Sequence, residues 1–351
     1  MRRLPIFLVI DVSESMMGDS LRLMQSGIEQ LIHSLRQDPY ALESVYLSVI
    51  AFAGKARTLT PLIELSAFYP PRLPIGSGTS IGEVLHYTMN EIDRQVVRSS
   101  HEKKGDFKPV VFMMTDGSST DSIDSALERW KNFYQKQANL IAIGIGLYAD
   151  LSALSGICEQ ILRLEQKNEF DFKQFIDWIS HSISQHSRSI GVSAQIGQAI
   201  QLEKPLHPML SLVKSIQEAA AVDENYVILN GICTKTGLPY LMKYEKIPSH
   251  LDSPYFNQPD TQYRFCSVFA AEKDYFEWSD TRQNFNTINV NVLEGACGCP
   301  HCGAMYAFAT CSCGQIFCIS GEGEVTCPGC KQNVYMSQSD GSDYDITRSR
   351  G

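Results

Sequence analysis

The sequence predicts an α/β fold, a doubly wound and mostly parallel sheet, followed by a small strand-rich domain. Over the first ~190 residues, short apolar runs alternate with amphipathic segments of helical period. Beyond that point the chain becomes polar and irregular, and short strand-like runs replace the helices. Eight of the eleven cysteines lie between Cys297 and Cys330, which sets the end of the chain apart from the rest.

The elements of the first domain follow in order. Strands are predicted over 5–11, 44–54, 108–116 and 139–146, with an edge strand hairpinned onto its predecessor at 55–62 and a last short strand at 161–165. Helices are predicted over 19–36, 80–97, 124–137 and 170–183. Strands joined through helices of this length pair in parallel by right-handed crossovers. Their near-continuous apolar character fits a sheet that is covered on both faces.

Beyond the first domain, three parts are predicted. The first domain ends at residue 190, and the polar segment 191–209 is a linker. A strand-rich domain spans 210–336 and opens with a helix over 210–221. Its strand-like runs are 226–233, 239–244, 263–271 and 274–279. The tail 337–351 has little apolar content and is predicted to be disordered.

Composition excludes several classes of function. The chain has 351 residues, of which 44% are hydrophobic and 20% charged, as in ordinary globular proteins. Its net charge of −9 argues against nucleic acid or an anionic membrane as partner. The apolar run after the N-terminal arginines is too short for a signal peptide, and no segment is apolar enough to span a bilayer. We therefore predict a cytoplasmic protein.

Oxygen-bearing side chains follow three of the predicted strands or precede a helix. Asp11, Ser13 and Ser15 alternate after the first strand, Thr79 precedes a helix, and Asp116 ends the strand 108–116. In an open α/β sheet, ligands bind beyond the carboxyl ends of the strands, where the strand order reverses. Hard oxygen ligands of this kind suit Mg²⁺, with Mn²⁺ or Ca²⁺ as alternatives. Two protein charges leave part of the shell to water or to a partner's carboxylate.

Other interpretations of these loops are less well supported by the sequence. Ser80 or Asp121 is expected to cap a helix, and Glu14 to point to solvent. An aspartyl-phosphate enzyme would need an acid at position 13, where Ser13 stands. The loop 76–82 lacks the Gly-Lys of a phosphate-binding loop, and the glycine pattern at 144–149 follows a late strand rather than the first. We therefore predict no catalytic residues and no nucleotide cofactor.

The cysteine cluster predicts a zinc ribbon over 297–331. Two C-x-x-C pairs, Cys299–Cys302 and Cys327–Cys330, are separated by 24 residues that contain two strand-like runs. Two such turns supply the four thiolates of a tetrahedral zinc site. Four further cysteines either bind a second zinc or belong to the core; they are Cys297, Cys311, Cys313 and Cys318. We favour one zinc, because position 313 falls in the turn between the two predicted strands, at the far end from the pairs.

The order of the five oxygen-bearing residues resembles a known family. Asp11-x-Ser13-x-Ser15, then Thr79, then Asp116 is similar to the metal-ion-dependent adhesion site (MIDAS) of von Willebrand factor A (VWA) domains, over about residues 5–187. The resemblance implies that the serines and the threonine ligate metal directly or through water. It also implies that the aspartates are direct or indirect ligands, and that the domain binds proteins without catalysing a reaction.

The chain as a whole resembles the TerY-type tellurite-resistance proteins, in which a VWA domain precedes a metal-binding domain. This resemblance implies a bacterial cytoplasmic protein that works with a Ser/Thr protein kinase and a PPM-type phosphatase in a stress-response system. We therefore expect a non-catalytic, metal-dependent interaction scaffold. The alternatives are a VWA subunit that works with an AAA-type ATPase in a chelatase-like assembly, and a phosphoryl-transfer protein that uses Asp11 or Asp116.

Overall fold

The structure is a computed structural model, which divides the chain into two compact units. One unit comprises Met1–Pro74 and Thr79–Ala221, and the other comprises Ile75–Gly78 and Val222–Gly351. The description below covers residues 2–99, 104–117, 119–146, 149, 151–164, 169–192, 210–212, 226–247, 262–282, 286–337 and 344–349.

The first unit is built on a seven-stranded sheet in the order β3-β2-β1-β4-β5-β6-β7. All neighbours pair in parallel except at the two edges, where β3 and β7 are antiparallel. The strands are β1 (Leu4–Asp11), β2 (Val45–Phe52), β3 (Ala56–Glu64), β4 (Val110–Thr115), β5 (Asn139–Ile145), β6 (Gln160–Leu164) and β7 (Leu210–Leu212). The predicted doubly wound sheet and its hairpinned edge strand are confirmed.

Helices connect these strands. They are α1 (Asp19–Arg36), α2 (Pro39–Ser44), α3 (Ile81–Gln95), α4 (Asp124–Arg129) and α5 (Glu169–Val192). The period of apolar residues predicted α1 at its observed bounds. The helix predicted over 124–137 is α4 followed by a wider π-helical turn, Trp130–Tyr134, whose first and last side chains are buried. The short α2 was not predicted; Asp38 begins it by accepting a hydrogen bond from the backbone N–H of Tyr40 at 3.0 Å.

Burial of the central strands explains why this sheet forms. Every residue of β1, β4 and β5 is buried, so both sheet faces are covered, as the sequence predicted. The apolar cluster on one face includes Phe7, Val9, Val84, Val111 and Trp130 from strands and helices far apart in sequence. The edge strand β3 is largely exposed or half-buried. The apolar core therefore covers the middle of the sheet, where β1 and β4 lie side by side.

One predicted element at the domain boundary is wrong. Residues 210–212 form strand β7, which adds to β6 with Leu212 opposite Leu162, instead of opening a helix over 210–221. The rest of that predicted helix and most of the predicted linker 191–209 lie outside the described residues. The sheet edge at β6 offers unpaired backbone groups, and pairing of 210–212 with it outweighs the local helical pattern. The first domain therefore extends past residue 190, and the second unit begins at 222 rather than at 210.

The second unit contains a six-stranded sheet in the order β12-β10-β9-β8-β14-β13 and two sheets of two strands, β11-β17 and β15-β16. Its elements are β8 (Tyr226–Ile232), β9 (Pro239–Lys246), β10 (Tyr263–Ala270), α6 (Tyr275–Trp278), β11 (Thr287–Asn289), β12 (Leu293–Glu294), β13 (Tyr306–Thr310), β14 (Ile316–Ile319), β15 (Gly323–Thr326), β16 (Asn333–Met336) and β17 (Asp345–Thr347). The predicted strand-rich domain is confirmed.

Two predictions for this unit are wrong. The run 274–279 is not a strand but the short helix α6, which buries Tyr275 and Trp278. The tail predicted to be disordered contains β17, which pairs antiparallel with β11 and buries Ile346. The backbone N–H of Ser349 donates to the carbonyl of Ile228 at 2.8 Å. One buried isoleucine and strand pairing thus order a segment whose composition alone indicated disorder.

Within the described part of the chain, no helix combines the length and the hydropathy that a membrane span requires.

Candidate metal centres

The first candidate centre lies at the carboxyl ends of β1 and β4, which are neighbours in the sheet. The chain leaves β1 toward β2 on one side and later returns to β4 on the other, so the strand order reverses here. The structure brings together here all five residues predicted from the sequence. All are buried, and the most exposed of them is Asp116, at 8%.

Hydrogen bonds join the aspartates and serines of this oxygen site. The Ser13 and Ser15 hydroxyl oxygens are 3.0 Å apart, and the Ser15 hydroxyl donates to Asp116 Oδ1 at 2.8 Å. Asp11 accepts from the backbone N–H of Ser13 at 2.8 Å and from the Thr115 hydroxyl. The alternation of Asp11, Ser13 and Ser15 thus turns three side chains of one loop toward the end of β4.

Thr79 joins the same site through a separate loop. Its backbone N–H donates to the Thr120 hydroxyl at 3.0 Å, and the backbone N–H of Thr120 donates back to the Thr79 carbonyl at 2.8 Å. A Cβ built at Gly117 would lie 3.6 Å from Thr79 Oγ1 and 4.0 Å from Ser15 Oγ. Position 117 therefore faces both hydroxyls, and glycine leaves the space beside them open.

Neighbouring residues take roles that differ in part from the predictions. Asp121 caps α3, since its carboxylate accepts the backbone N–H groups of Gly82 and Glu83 at 3.0 and 2.9 Å. Ser80 stands at the N-cap position of α3 without a side-chain hydrogen bond to it. Glu14 does not point to solvent; it is fully buried in a 3₁₀ turn, because the loop folds back over the sheet end after Ser13.

The electrostatics of the oxygen site favour a cation. Burial, together with the nearby Asp116 carboxylate, raises the pKa of Asp11 to about 7. Two buried carboxylates with hydroxyl groups between them hold negative charge that a divalent ion would offset. The donor set contains only carboxylate and hydroxyl oxygens, which fits Mg²⁺, Mn²⁺ or Ca²⁺. The residues present therefore fit the metal that the predicted adhesion site requires.

The second unit holds two four-cysteine clusters instead of the single site predicted. The inner cluster is Cys233, Cys299, Cys302 and Cys318, and the outer cluster is Cys311, Cys313, Cys327 and Cys330. Within each, the four sulfurs lie within 4.8 Å of one another. The prediction that Cys299, Cys302, Cys327 and Cys330 share one zinc is wrong, because the two C-x-x-C pairs belong to different clusters.

The sulfur spacing fits tetrahedral zinc in both clusters. Zn–S bonds of about 2.3 Å in a tetrahedron place neighbouring sulfurs about 3.8 Å apart. Cys302 and Cys318 are 3.7 Å apart in the inner cluster. In the outer cluster the pairs Cys311–Cys330 and Cys313–Cys327 are each 3.7 Å apart. Four thiol sulfurs at this spacing form a closed shell, which is typical of structural zinc sites rather than of catalytic ones.

Cys233 was missed because it stands alone in the sequence. It nevertheless occupies a turn of the same kind as Cys299: in each, the N–H four residues later donates to the cysteine carbonyl, at 2.9 and 3.0 Å. The donating residues, Gly237 and Gly303, both have φ of 69°. The shared signal was Cys-x-x-x-Gly, in CTKTG and CPHCG, with Thr236 in place of the second cysteine.

The turn at Cys311 is at the end of a hairpin, as predicted, but it also brings Cys311 and Cys313 into the outer cluster. It connects β13 and β14, and the backbone N–H of Gly314 donates to the Cys311 carbonyl at 2.8 Å. Cys297 belongs to neither cluster. It lines a separate cavity of about 140 Å³, together with aromatic side chains that include Tyr244 and Phe308.

Burial and hydrogen bonding act on the thiols in opposite directions. Burial raises the pKa of Cys299 to about 12 and that of Cys327 to about 11. Burial also opposes ionisation of Cys233, but hydrogen bonds from Thr236 and a backbone N–H outweigh it and lower its pKa to about 6. The backbone N–H of Cys313 lowers the pKa of Cys311 to about 7. Metal binding to the thiols that are still protonated at neutral pH therefore releases protons.

Comparisons with known families agree with both units. The model of the von Willebrand factor type A domain matches residues 6–171, and the model of the TerY-C metal binding domain matches residues 223–351. A search of curated proteins found no match to the chain.

Solved structures resemble about half of the chain at low identity. A von Willebrand factor type A protein from Catenulispora acidiphila is 16% identical with a TM-score of 0.41; the alignment covers 52% of this chain and 43% of that one. Proximal thread matrix protein 1 from the mussel byssus, in a structure "with zinc occupied MIDAS motif", is 18% identical with a TM-score of 0.38, covering 52% and 48%. The chain thus spans less than half the length of either.

The two family matches correspond to the two units of the structure. The first covers the oxygen site and its sheet apart from β7 and the first two residues of β1, and the second covers both cysteine clusters and the strand β17. The chain therefore consists of a von Willebrand factor type A domain followed by a TerY-C metal-binding domain.

Proposed function

We propose that the protein is a non-catalytic scaffold that binds other proteins in a metal-dependent way. Mg²⁺ occupies the oxygen site, and Zn²⁺ occupies both cysteine clusters. The partner is a Ser/Thr protein kinase or its cognate PPM-type phosphatase, in the cytoplasm of a bacterium and in a stress and tellurite-resistance system. The kind of partner and the setting come from the family resemblance, whereas the metal dependence comes from the site itself.

The observation that carries this proposal is the composition of the oxygen site. Asp11 and Asp116 bring two charges, and Ser13, Ser15 and Thr79 bring neutral hydroxyls, all at the end of one sheet. Mg²⁺ takes six oxygens, so this set leaves room for water or for an oxygen of another molecule. The ion also keeps residual positive charge, which favours a Glu or Asp carboxylate from a partner protein.

The hydroxyl groups of the site argue against catalysis. Ser13 and Ser15 are hydrogen-bonded to one another, and Ser15 donates to Asp116. When Asp116 binds the proposed Mg²⁺, its carboxylate is not available to act as a general base for either serine. No histidine occurs in the segments 12–18, 75–80 or 116–123. In this arrangement the hydroxyls serve as metal ligands.

Zinc in both cysteine clusters is supported by donor type and spacing. All-cysteine shells select zinc over magnesium or calcium, and the sulfur separations of 3.7 Å match a tetrahedral shell. A cytoplasmic location keeps such thiols reduced. The zinc domain supplies a second surface for the partner, and two linked contacts bind more tightly than either alone through effective concentration.

The test measures binding to the candidate kinase and phosphatase by calorimetry, with Mg²⁺ and after exhaustive dialysis into magnesium-free buffer. Zinc content is followed in parallel, so that loss of zinc is not mistaken for loss of magnesium. The central variant is Asp116→Asn. The matched control is Asp19→Asn, which removes a carboxylate from an exposed position in the first turn of α1.

We expect magnesium-dependent binding that Asp116→Asn abolishes and Asp19→Asn preserves. Binding that persists in Asp116→Asn without magnesium would contradict the metal bridge. Phosphatase or kinase activity of the purified chain, lost in Asp116→Asn, would contradict the non-catalytic role. Binding to an AAA-type ATPase in place of the kinase and phosphatase would favour the chelatase-like alternative.

A further inference from the structure

The two cysteine clusters differ in how far solvent reaches their residues. In the inner cluster three of the four cysteines are buried and Cys302 is half-buried. In the outer cluster Cys313 and Cys330 are exposed, while Cys311 and Cys327 are buried. Small oxidants and electrophiles react with the thiolates that they can reach, so the two clusters differ in chemical vulnerability.

The sulfur geometry of the outer cluster pairs each exposed cysteine with a buried one. Cys330 lies 3.7 Å from Cys311, and Cys313 lies 3.7 Å from Cys327, sulfur to sulfur. An exposed sulfur that has been oxidised therefore has a second thiol beside it that can resolve it to a disulfide. A nearby resolving cysteine is what distinguishes reversible thiol oxidation from irreversible damage.

The outer cluster also holds a specific piece of the fold. Cys327 directly follows β15 and Cys330 precedes β16 by two residues, while Cys311 and Cys313 belong to the turn between β13 and β14. In the described structure, β15 and β16 hydrogen-bond to each other and to no other strand. The apolar cluster around this junction is small. Its buried members are Ala309, Cys311, Phe317 and Cys327, and three side chains of the hairpin pack against it while only partly buried: Val325, Val334 and Met336. Two of the four buried members are cysteines of the outer cluster, so an ion bound there would reinforce a junction that otherwise rests on a few partly buried apolar side chains.

We propose that the outer cluster is a peroxide-reactive modification site, whose oxidation releases its zinc and frees the β15–β16 hairpin while the inner cluster stays intact. This proposal rests on the zinc occupancy proposed above.

The chemistry balances with a peroxide as the oxidant. The thiolate of Cys313 or Cys330 attacks one peroxide oxygen, an S–O bond forms, the O–O bond breaks, and hydroxide leaves. The neighbouring thiolate, Cys327 or Cys311, then attacks the sulfenic sulfur, and a second hydroxide leaves as the S–S bond forms. Two thiolates thus lose two electrons to one hydrogen peroxide, and two protons from solvent convert the hydroxides into water. With two of the four thiolates converted into a disulfide, an ion held by this cluster would keep only two protein ligands and would dissociate.

The experiment uses the full chain, with zinc counted before oxidation. Hydrogen peroxide is added, and zinc release is followed with a colorimetric chelator. The disulfides are mapped by mass spectrometry of peptides, and hydrogen exchange is measured for 323–336 and for β8, β9 and β10. We expect one zinc to leave on the order of tenfold faster than the other. The first disulfide should be Cys311–Cys330 or Cys313–Cys327, and exchange should rise in 323–336 only.

Variants separate the two clusters. Cys313→Ser removes an outer ligand, so the rapidly released zinc should already be missing from this variant, while the slowly released zinc remains. Cys297→Ser, outside both clusters, should behave as the wild type. Peptide mapping of the wild type decides the question even if a variant fails to fold.

Simultaneous release of both zinc ions, or a first disulfide within the inner cluster, would overturn the proposal. Fewer than two zinc ions before peroxide is added would instead contradict the proposed occupancy. In that case the order in which the thiols oxidise still decides whether the outer cluster is the reactive one.

Discussion

In the VWA domain the oxygen-bearing residues follow strands that are already buried along their whole length, whereas in the TerY-C domain the cysteines are themselves part of the core. Strands β1 and β4 are buried at every residue, and of the five site residues only Asp11, at the end of β1, belongs to them. By contrast, the main apolar cluster of the second unit counts Cys233, Cys299 and Cys318 among its buried members. The oxygen site thus lies at the end of a sheet whose apolar core does not depend on it. The cysteine clusters, by contrast, form part of the apolar core of their own domain.

This difference teaches what metal does in each domain. Metal at the oxygen site would relieve the repulsion between two buried carboxylates, and under the proposed function it adds a binding surface. Metal at a thiol site contributes folding free energy, about 10 kcal/mol or more for structural zinc at neutral pH. Removing the ion should therefore abolish partner binding by the first domain and unfold the second domain.

The largest expected effect is the loss of a thiol ligand. Cys299→Ser removes an inner ligand, so its zinc should be lost and the six-stranded sheet should unfold, because that cluster joins the turns that follow β8 and precede β13. Cys327→Ser should release only the β15–β16 hairpin. Zinc content and hydrogen exchange measure both effects, with the VWA domain as the internal reference. Loss of both zinc ions in either variant would show that the clusters are not independent.

The next largest effect is expected from a substitution at the oxygen site of the VWA domain. Asp11→Asn should lower the affinity for Mg²⁺ or Mn²⁺ on the order of 100-fold, because one of two charged groups is removed. The metal-free VWA domain should be as stable as the wild type or more so, because a buried charge is lost. Calorimetric titration and thermal unfolding measure the two quantities. A variant with a destabilised metal-free domain would mean that the oxygen site is part of the fold after all.

A pH titration tests how the buried Asp11 carboxyl affects the stability of the VWA domain. The pKa of Asp11 is raised from 3.8 to about 7 in the metal-free fold, so the folded state binds this proton more tightly than the unfolded chain does. The free energy of unfolding contributed by Asp11 should therefore fall as pH rises between about 4 and about 7. The measurement is the difference in free energy of unfolding between the wild type and Asp11→Asn, both without divalent metal. A difference that is flat across this range would remove the buried-charge explanation.

The smallest expected effect concerns the space beside the hydroxyls. In Gly117→Ala the new methyl group would lie 3.6 Å from Thr79 Oγ1, an ordinary contact, so the fold should be unchanged. The methyl group narrows the approach to the ion, and partner affinity should fall by a few-fold, about 1 kcal/mol or less. Unaltered partner affinity, with metal affinity also unaltered, would place the docking surface away from position 117.

The sequence was sufficient for the first domain because its signals are local and repeated. The apolar period of 19–36 predicted α1 at its bounds, and each of the three site loops follows or precedes an element that could be recognised by itself. Topology then requires the ends of β1 and β4 to meet. The burial of Glu14 was missed, since the direction of a single side chain in a turn depends on what the loop folds against.

The sequence was insufficient for the second domain because the cysteines of each cluster come together only through strand pairing in the folded structure. Nothing in the spacing of the C-x-x-C pairs says that one pair binds with Cys233 and Cys318 and the other with Cys311 and Cys313. The position of Cys233 at the end of β8, which pairs in parallel with β14, brings it to Cys318. Likewise β17 could not be predicted, because its partner strand lies more than fifty residues earlier in the chain.

The positions of the ligands along the chain set the order in which the TerY-C domain can assemble. The outer cluster draws all its ligands from residues 311–330, whereas the inner cluster must bring Cys233 to Cys318. Closing the longer loop costs more chain entropy and creates contacts of high sequence separation, which slow folding. The outer zinc should therefore be captured early as a local nucleus, and the inner zinc should lock the domain last. On this account the ion that is bound first is also the one that is held closest to solvent.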